Sequence, residues 1–310
     1  MNTTTRPLLG IDWGTSNRRA YLLDGDGRLV RQHDDDSGIL KVAGDFKASL
    51  AALLETLQLD GADVVMSGMV GSRSGWREAP YLTVESPLSR LPESLFEIES
   101  GLPNVRCRIA PGYSYVDSHR LPDVMRGEET QIFGAMQLGA PDGWFLLPGT
   151  HSKWVRVNGG VIGEIVTFMT GELYGLMSKQ GTLSKVISDS QASVPEAFDA
   201  GLQAARRGAF THMAFCCRAL VVTDRMPPEH TASYLSGLLI GTELHDIAQR
   251  TTEGNGSSER MPVQIIGSSS LATRYRNALE SWGLATRVWQ PDDVYLSALA
   301  ALFNQKVQST

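Results

Sequence analysis

Apolar residues alternate with small polar turns at the start of the chain. Residues 8–13 form an apolar run that contains Asp12, and residues 19–23 form another, with Gly14, Thr15 and Ser16 between them. This pattern predicts strand, turn, strand, turn and strand. Small residues in such a turn let backbone N–H groups approach phosphate oxygens, and a carboxylate at a strand end can hold Mg²⁺. The opening hairpin therefore predicts a nucleotide-binding site.

The same pattern returns half a chain later. Apolar strands are predicted at residues 144–147, 153–157 and 161–168, separated by polar turns. A repeat of this kind indicates a structural duplication. A further apolar strand, residues 263–266, leads into a Gly-Ser-Ser-Ser turn that opens a helix, and a helix N-terminus favours anions. Three turns rich in glycine, serine and threonine thus follow three strands.

Amphipathic segments between these strands predict helices. Residues 45–59 place four apolar side chains on one face behind Asp45 as a helix cap. Alternating strands and helices indicate α/β layers, and two halves that each begin with a hairpin indicate two lobes with a cleft between them. The other predicted helices are residues 126–138, 195–207, 231–250, 268–280 and a last one from 292; the other strands are residues 63–67, 105–109 and 286–289, and residues 251–260 are predicted as a loop.

Composition narrows the function classes. The 310 residues carry a net charge of −6, which argues against nucleic acid or an anionic membrane as the main partner. No apolar run is long enough to span a membrane, the N-terminus lacks a secretory signal, and the three cysteines have neither metal-ligand nor disulfide-framework spacing. We expect a cytoplasmic protein without a nucleic-acid or membrane partner. Whether it forms a homo-oligomer is left open.

Eight motifs add a more specific indication. Standard nucleotide and hydrolase motifs, such as Walker A, G-x-G-x-x-G after a strand and G-x-S-x-G, are absent from the sequence. From residue 8 to residue 302, however, the chain resembles the 2-dehydro-3-deoxygalactonokinase family of the actin/hexokinase/Hsp70-like ATPase superfamily. The motifs that carry this resemblance are, in order, GIDWGT, MSGMVGSRSGW, APYL, VMRGEETQIFGA, LPGTHSKWV, MTGELY, YLSGLLIGTE and SLATRY.

The resemblance implies a fold and an activity. The implied fold is a two-lobed α/β actin-like (ribonuclease H-like) ATPase with duplicated mixed sheets and an interlobe cleft. Its lobes would be residues 1–125 and 140–310, joined by a helix at 126–139, with the last helix free to return toward the first lobe. The implied reaction is phosphorylation of the 6-hydroxyl of 2-dehydro-3-deoxygalactonate, with ATP and Mg²⁺ as cofactors and this small sugar acid as the partner.

The resemblance also implies site residues. Asp12 would be the carboxylate associated with Mg²⁺. His151 could equally be a turn histidine bonded to the backbone, and the side chain of Lys153 could meet a phosphate or face away. The residues expected to bind ATP are Gly14, Thr15 and Ser16 in the first turn, Gly149, Thr150 and His151 in the second, and Gly267, Ser268 and Ser269 in the third.

Transfer of a phosphoryl group to an alcohol needs a group that accepts the hydroxyl proton. Glu128 and Glu129 lie in the first turn of a predicted helix, where adjacent side chains diverge by about 100°, so we expect only one of them to face the substrate. Glu128 is favoured, and Asp123 is a third candidate. Arg126 could clamp the substrate carboxylate.

The remaining sugar contacts are expected from two segments. Ser67, Gly68 and Trp76 lie on the loop after one predicted strand, although a tryptophan such as Trp76 is also typical of a core. Glu172 begins a helix and could reach the sugar hydroxyls or serve only as an acid at the helix N-terminus. Three alternatives to the implied function stay open: a kinase for another 2-keto-3-deoxy acid, a phosphatase of the same superfamily, and a non-catalytic nucleotide-binding regulator.

Overall fold

The computed structural model describes residues 6–188, 193–253 and 261–303 of the chain. Its strands are β1 Leu8–Trp13, β2 Arg18–Leu23, β3 Leu29–Asp35, β4 Ala62–Ser67, β5 Leu82–Thr83, β6 Phe96–Ile98, β7 Val105–Ile109, β8 Tyr113–Val116, β9 Pro122–Met125, β10 Gly143–Leu147, β11 Ser152–Asn158, β12 Val161–Phe168, β13 Val263–Ile266 and β14 Thr286–Trp289. Its α-helices are α1 Ile39–Val42, α2 Phe46–Leu57, α3 Glu128–Gln137, α4 Thr170–Lys179, α5 Pro195–Ala204, α6 Phe210–Val222, α7 Thr231–Glu253, α8 Ser269–Ser281 and α9 Pro291–Phe303.

The first sheet places two parallel strand ends side by side. Its order is β3-β2-β1-β4-β7-β6, with β1 antiparallel to β2 and parallel to β4. The register pairs Asp12 at the end of β1 with Ser67 at the end of β4. Because the carboxyl ends of parallel strands meet at one edge, the loops that follow β1 and β4 begin next to each other.

Helix α2 covers this sheet. The Asp45 carboxylate accepts a hydrogen bond from the N–H of Ala48, as a helix cap does, and such a cap contributes about 1 kcal/mol. The four apolar residues predicted on one face are all buried, together with Leu53. They pack on the apolar side chains of β1 and β4, including Trp13 and Met66. Burial of the predicted stripe therefore fixes the helix on the sheet.

The five-stranded sheet has the order β12-β11-β10-β13-β14. The two large sheets share a strand order: β3-β2-β1-β4 in the first corresponds to β12-β11-β10-β13 in the second. This shared order confirms the predicted duplication and the mixed α/β class. The predicted strands at 105–109, 263–266 and 286–289 match the structure residue for residue.

Some predictions of elements were wrong or incomplete. Helix α3 begins at Glu128 rather than at residue 126, because Gly127 has φ +110° and is not helical. Helix α7 continues to Glu253, so residues 251–253 are helical rather than part of the predicted loop, whose remaining residues lie outside the described ones. The three-stranded sheet β5-β8-β9 and helix α6 were not predicted.

The chain divides into two compact units. The first contains Met1–Phe145, Val155–Val166 and Trp289–Thr310, and the second contains Leu146–Trp154 and Thr167–Val288. The lobe boundaries at residues 125 and 139 stay a prediction. In the residues that the structure describes, no helix is both long and apolar enough to cross a membrane.

Candidate active site

Asp12 lies at the end of β1 among other charged groups of the first unit. Burial raises the pKa of its carboxyl to about 6; nearby Arg19 opposes this shift, whereas the carboxylates of Glu128 and Asp292 add to it. Asp12 keeps part of its surface exposed. A carboxylate that burial and two like charges disfavour gains stability from a bound cation. Its surroundings therefore fit the predicted association with a divalent metal.

Two glycines bring the start of α3 close to Asp12. Gly68, just after β4, has φ +87°, and a Cβ atom on it would lie 3.3 Å from Asp12 Oδ1 and 3.0 Å from the carbonyl oxygen of Trp13. Gly127, with φ +110°, passes so close to Gly68 that its Cβ would lie 3.1 Å from the Gly68 Cα. L side chains rarely adopt such φ values. These glycines let the start of α3 reach the ends of β1 and β4.

Glu128 and Glu129 have different surroundings. Glu128 is partly exposed, and its carboxylate accepts a hydrogen bond from the backbone N–H of Arg126 at 2.9 Å. Glu129 is fully buried and accepts hydrogen bonds from the Gly127 N–H at 2.7 Å and the Thr130 hydroxyl at 3.0 Å. Burial, reinforced by Glu128, raises the pKa of Glu129 to about 7. The two side chains therefore diverge, as expected.

Arg126 offers unsatisfied hydrogen-bond donors. Its guanidinium lies 4.1 Å from the centre of the Tyr81 ring, and Nη2 donates to the carbonyl oxygen of Ala79 at 2.8 Å. The Nε and Nη1 atoms are buried and have no partner among the described residues. Unpaired buried donors of this kind are costly unless a ligand or water satisfies them. The APYL motif thus holds the arginine that was predicted as a carboxylate clamp.

Ser67 and Trp76 are engaged in packing. Ser67 is buried, and its hydroxyl lies 2.8 Å from the hydroxyl of Tyr295. The ring of Trp76 stacks on Phe46 with centroids 6.0 Å apart and meets Trp13 edge-on at 6.4 Å. Both residues therefore support the loop after β4 from within. Their direct contact with the sugar stays a prediction.

The first turn presents backbone donors. Thr15 and Ser16 are exposed, while their carbonyl groups accept hydrogen bonds from Leu40 and Gly38. In the described part of the chain, the N–H groups of Thr15 and Ser16 make no hydrogen bond. The turn is thus held through its carbonyls, and its amides are available for an anion.

In the second unit, the turn after β10 joins the start of α4. Gly149, Thr150 and His151 are exposed. The N–H of Glu172 donates to the carbonyl oxygen of Thr150 at 2.8 Å, and the Glu172 carboxylate lies 2.6 Å from His151 Nε2. This contact brings together two residues that were predicted separately, one for ATP and one for the sugar. It also places a carboxylate beside a turn that has none in its own sequence.

The third predicted turn lies against the second. A Cβ atom on Gly267 would lie 3.0 Å from the ring of Pro148, so the two turns pack directly. Ser268 and Ser269 are exposed at the start of α8. The structure thus brings the second and third turns together within one unit.

Two minor candidates make other contacts. Lys153 is buried, and its ammonium group donates to the Thr167 hydroxyl at 2.8 Å. The Asp123 carboxylate accepts a hydrogen bond from the N–H of the next residue, Val124, at 2.7 Å. Neither contact is with a residue of the three turns.

Asp292 is a residue that sequence reasoning missed. It lies in the first turn of α9, and its carboxylate accepts a hydrogen bond from the Tyr21 hydroxyl at 2.8 Å. Burial tends to lower the pKa of Arg19, but Tyr21, Asp12 and Asp292 outweigh it, so this pKa is raised overall. Asp292 follows Asp12 by 280 positions, and an acid in a first helical turn is too common a pattern to indicate a site.

Comparison with known proteins agrees with these motifs. The model of the 2-keto-3-deoxy-galactonokinase family matches residues 12–302. The 2-dehydro-3-deoxygalactonokinase of Escherichia coli K12 is 32% identical over 305 residues, covering 96% of this chain and 98% of that protein. A crystal structure of a Sinorhizobium meliloti protein assigned to the same enzyme class superposes with a TM-score of 0.86 at 31% identity, covering 98% of both chains. The resemblance seen in the motifs is thereby confirmed, and the chain belongs to the 2-keto-3-deoxy-galactonokinase family.

Proposed function

We propose that the protein is a kinase that transfers the γ-phosphoryl group of ATP to the 6-hydroxyl of 2-dehydro-3-deoxy-D-galactonate. Family membership supports this reaction, since the Escherichia coli relative is a 2-dehydro-3-deoxygalactonokinase. The observation that carries the proposal is the grouping of Asp12, Gly68 and Glu128 at one edge of the first sheet. A cytoplasmic location is part of the proposal.

Each charged group in this arrangement has a proposed task. Arg126 holds the carboxylate of the sugar acid through its unpaired Nε–H and Nη1–H groups, because a hydrogen bond from a positive guanidinium to a carboxylate is charge-assisted. Glu128 accepts the proton of the 6-hydroxyl as the hydroxyl oxygen bonds to the γ-phosphorus and the bond to the β-phosphate oxygen breaks. The products are the 6-phosphate ester and ADP, with the proton on Glu128.

Each unit contains donors that we propose for the cofactors. Asp12 would hold Mg²⁺, which when bound neutralises charge on the phosphates. The amide groups of Thr15 and Ser16 in the first unit would bind phosphate oxygens. In the second unit, the exposed turn at Gly149, Thr150 and His151 and the start of α8 offer further amide donors for the nucleotide.

Turnover with a panel of sugar acids tests the proposal. The purified protein is incubated with ATP, Mg²⁺ and one 2-keto-3-deoxy acid at a time, ADP release is measured, and phosphorus NMR locates the phosphate in the product. We expect the galactonate derivative to give the highest kcat/KM, with the phosphate on C6. Faster turnover of another acid would indicate that this other acid is the substrate, and release of phosphate from the 6-phosphate ester would indicate a phosphatase. ATP binding without turnover of any acid would support a regulator.

A further inference from the structure

Glu243 on α7 is a buried carboxylate that the proposed reaction does not use. Its side chain is almost completely inaccessible. It accepts hydrogen bonds from Trp154 Nε1 at 2.5 Å, from the Thr170 hydroxyl at 2.6 Å and from the Tyr275 hydroxyl at 2.8 Å. The Tyr275 hydroxyl also lies 2.7 Å from the Ser152 hydroxyl. One carboxylate thus connects four elements of the second unit.

Each of these partners lies next to a segment proposed to bind ATP. Ser152 and Trp154 belong to β11, which begins directly after the turn at Gly149, Thr150 and His151. Thr170 begins α4, whose Glu172 bonds to Thr150 and His151. Tyr275 lies on α8, less than two turns after its exposed first residues. A shift of any one element would be transmitted to the other two through Glu243.

The cost of burying this carboxylate argues for a role beyond packing. Burial raises the pKa of Glu243 to about 7 even though the four surrounding hydroxyl and indole groups oppose the shift. Apolar side chains of similar volume often stabilise a fold as well as a buried charge does. The carboxylate adds a geometric constraint that apolar packing lacks. Three donors on three elements must all point at one group, so the positions of these elements are fixed relative to one another.

We propose that Glu243 is a positioning residue that sets the relative placement of the second and third phosphate turns and thereby the affinity for ATP. This inference rests on the proposed binding of ATP to these turns. Glu243 does not touch the nucleotide, because its carboxylate is enclosed by its donors. Its effect on ATP passes through Ser152, Thr170 and Tyr275.

Substitution of Glu243 separates positioning from simple stability. In Glu243→Ala the three donors lose their common acceptor, and we expect the Kd for ATP, measured by calorimetry without sugar acid, to rise at least about tenfold. The KM for the sugar acid is expected to rise by a smaller factor than the Kd for ATP, because no described contact of Arg126 or Glu128 involves this network and only Glu172, among the residues expected at the sugar, lies on one of its elements. Glu243→Gln can accept from Trp154 and donate to the two hydroxyls, so ATP binding should recover to within about threefold of wild type.

Two further variants control the experiment. Leu235→Ala removes a buried side chain of the same helix that packs in the apolar cluster of α5 and α7, and it should lower the Tm while leaving the Kd for ATP unchanged. If Leu235→Ala weakened ATP binding as much as Glu243→Ala, or if Glu243→Ala bound ATP like wild type, the proposal would be wrong. Should Glu243→Ala fail to fold, Thr170→Ala deletes one hydrogen bond to Glu243, and Tyr275→Phe deletes another together with the contact to Ser152. Each is expected to weaken ATP binding by a smaller factor; wild-type affinity in both would overturn the proposal.

The outcome for Glu243 can be told apart from that for the proposed function. If the wild-type protein binds ATP but phosphorylates no sugar acid, the proposed reaction fails while the calorimetric comparison still decides the role of Glu243. If the wild-type protein does not bind ATP, both proposals fail.

Discussion

Glu128 and Glu129 are adjacent in α3 but have different surroundings, and these surroundings suit them to different roles. Glu128 is partly exposed, and its carboxylate lies close enough to Asp12 to raise the pKa of Asp12. Glu129 is enclosed, and its two oxygens are used by Gly127 and Thr130. A proton acceptor must reach its substrate within hydrogen-bond distance. The accessible glutamate therefore fits the role of base, and the enclosed one fits that of a cap for its own helix.

Amide substitutions of the two glutamates test this assignment. Glu128→Gln removes the proton acceptor, and we expect kcat to fall by about 10²–10⁴-fold with little change in the KM for either substrate. Glu129→Gln keeps both hydrogen bonds, because the amide can accept from Gly127 and donate to Thr130, and kcat should fall by less than about tenfold. Steady-state kinetics of the purified variants decides between them. A larger loss in Glu129→Gln than in Glu128→Gln would reverse the assignment.

The unpaired donors of Arg126 lead to a prediction about substrate affinity. Arg126→Lys keeps the positive charge but loses the planar guanidinium with its fixed donors, so we expect the KM for the sugar acid to rise about ten- to a hundredfold with the KM for ATP unchanged. Tyr81→Phe is the matched control, since it keeps the aromatic ring beneath the guanidinium and should change neither KM by more than about twofold. An unchanged sugar-acid KM in Arg126→Lys would remove Arg126 from the substrate site.

At the scale of elements, close helix crossings explain glycines in motifs that contain no proposed catalytic residue. Gly201 of α5 and Gly237 and Gly241 of α7 leave so little room that Cβ atoms there would lie 2.0–2.7 Å from atoms of the facing helix or of the residue that caps it. The motif YLSGLLIGTE therefore encodes a helix contact, together with Glu243 at its end. Helices α3 and α9 of the first unit cross in the same way, with Gly134 against the carbonyl of Val294. Helix α9 thus supports the helix that carries Glu128.

A pair of glycine substitutions tests the support of α3 by α9. A Cβ atom on Gly134 would lie 1.8 Å from the Val294 carbonyl oxygen, and because backbone cannot give way as a side chain can, Gly134→Ala should lower the free energy of unfolding by about 3 kcal/mol or more. Gly175 on α4 has open space around its Cβ position, so Gly175→Ala should raise stability by up to about 1 kcal/mol. Urea denaturation measures both. Equal stability of the two variants would contradict the close crossing.

At the scale of the whole molecule, three acids with raised pKa values act together on stability. Burial is the main cause that raises the pKa of Asp12 to about 6 and the pKa values of Glu129 and Glu243 to about 7. Between their ordinary values near 4 and these raised values, the native protein binds more protons than the unfolded chain. The free energy of unfolding therefore falls as the pH rises through this window.

The variant Glu129→Gln tests this pH dependence. It removes one of the three titrations, so the loss of stability between pH 5.5 and pH 8 should become smaller by about 2 kcal/mol than in wild type. Urea denaturation at the two pH values measures the difference. Glu97→Gln serves as a control, since hydrogen bonds from Arg106 lower the pKa of Glu97 and its titration lies below this window. An unchanged pH dependence in Glu129→Gln would show that Glu129 is ionised in the native state throughout.

The sequence by itself determined most strands of the two large sheets and the repetition between them. Local patterns sufficed for the two hairpins, the cap at Asp45, and the strands at 105–109 and 263–266, because strand and helix periods depend on neighbouring residues alone. The family motifs likewise pointed to Asp12, Glu128 and Arg126. They did not show which of two adjacent glutamates is enclosed or that Arg126 has unpaired donors.

Only the tertiary structure decided which distant residues meet. Asp292 joins the surroundings of Asp12, Glu172 pairs with His151, and Glu243 collects donors from three elements. These contacts depend on how strands are ordered in a sheet and where helices cross, and no local pattern encodes either. Burial, which sets the pKa values of the acids, is likewise a property of the packed chain rather than of a residue and its neighbours in sequence.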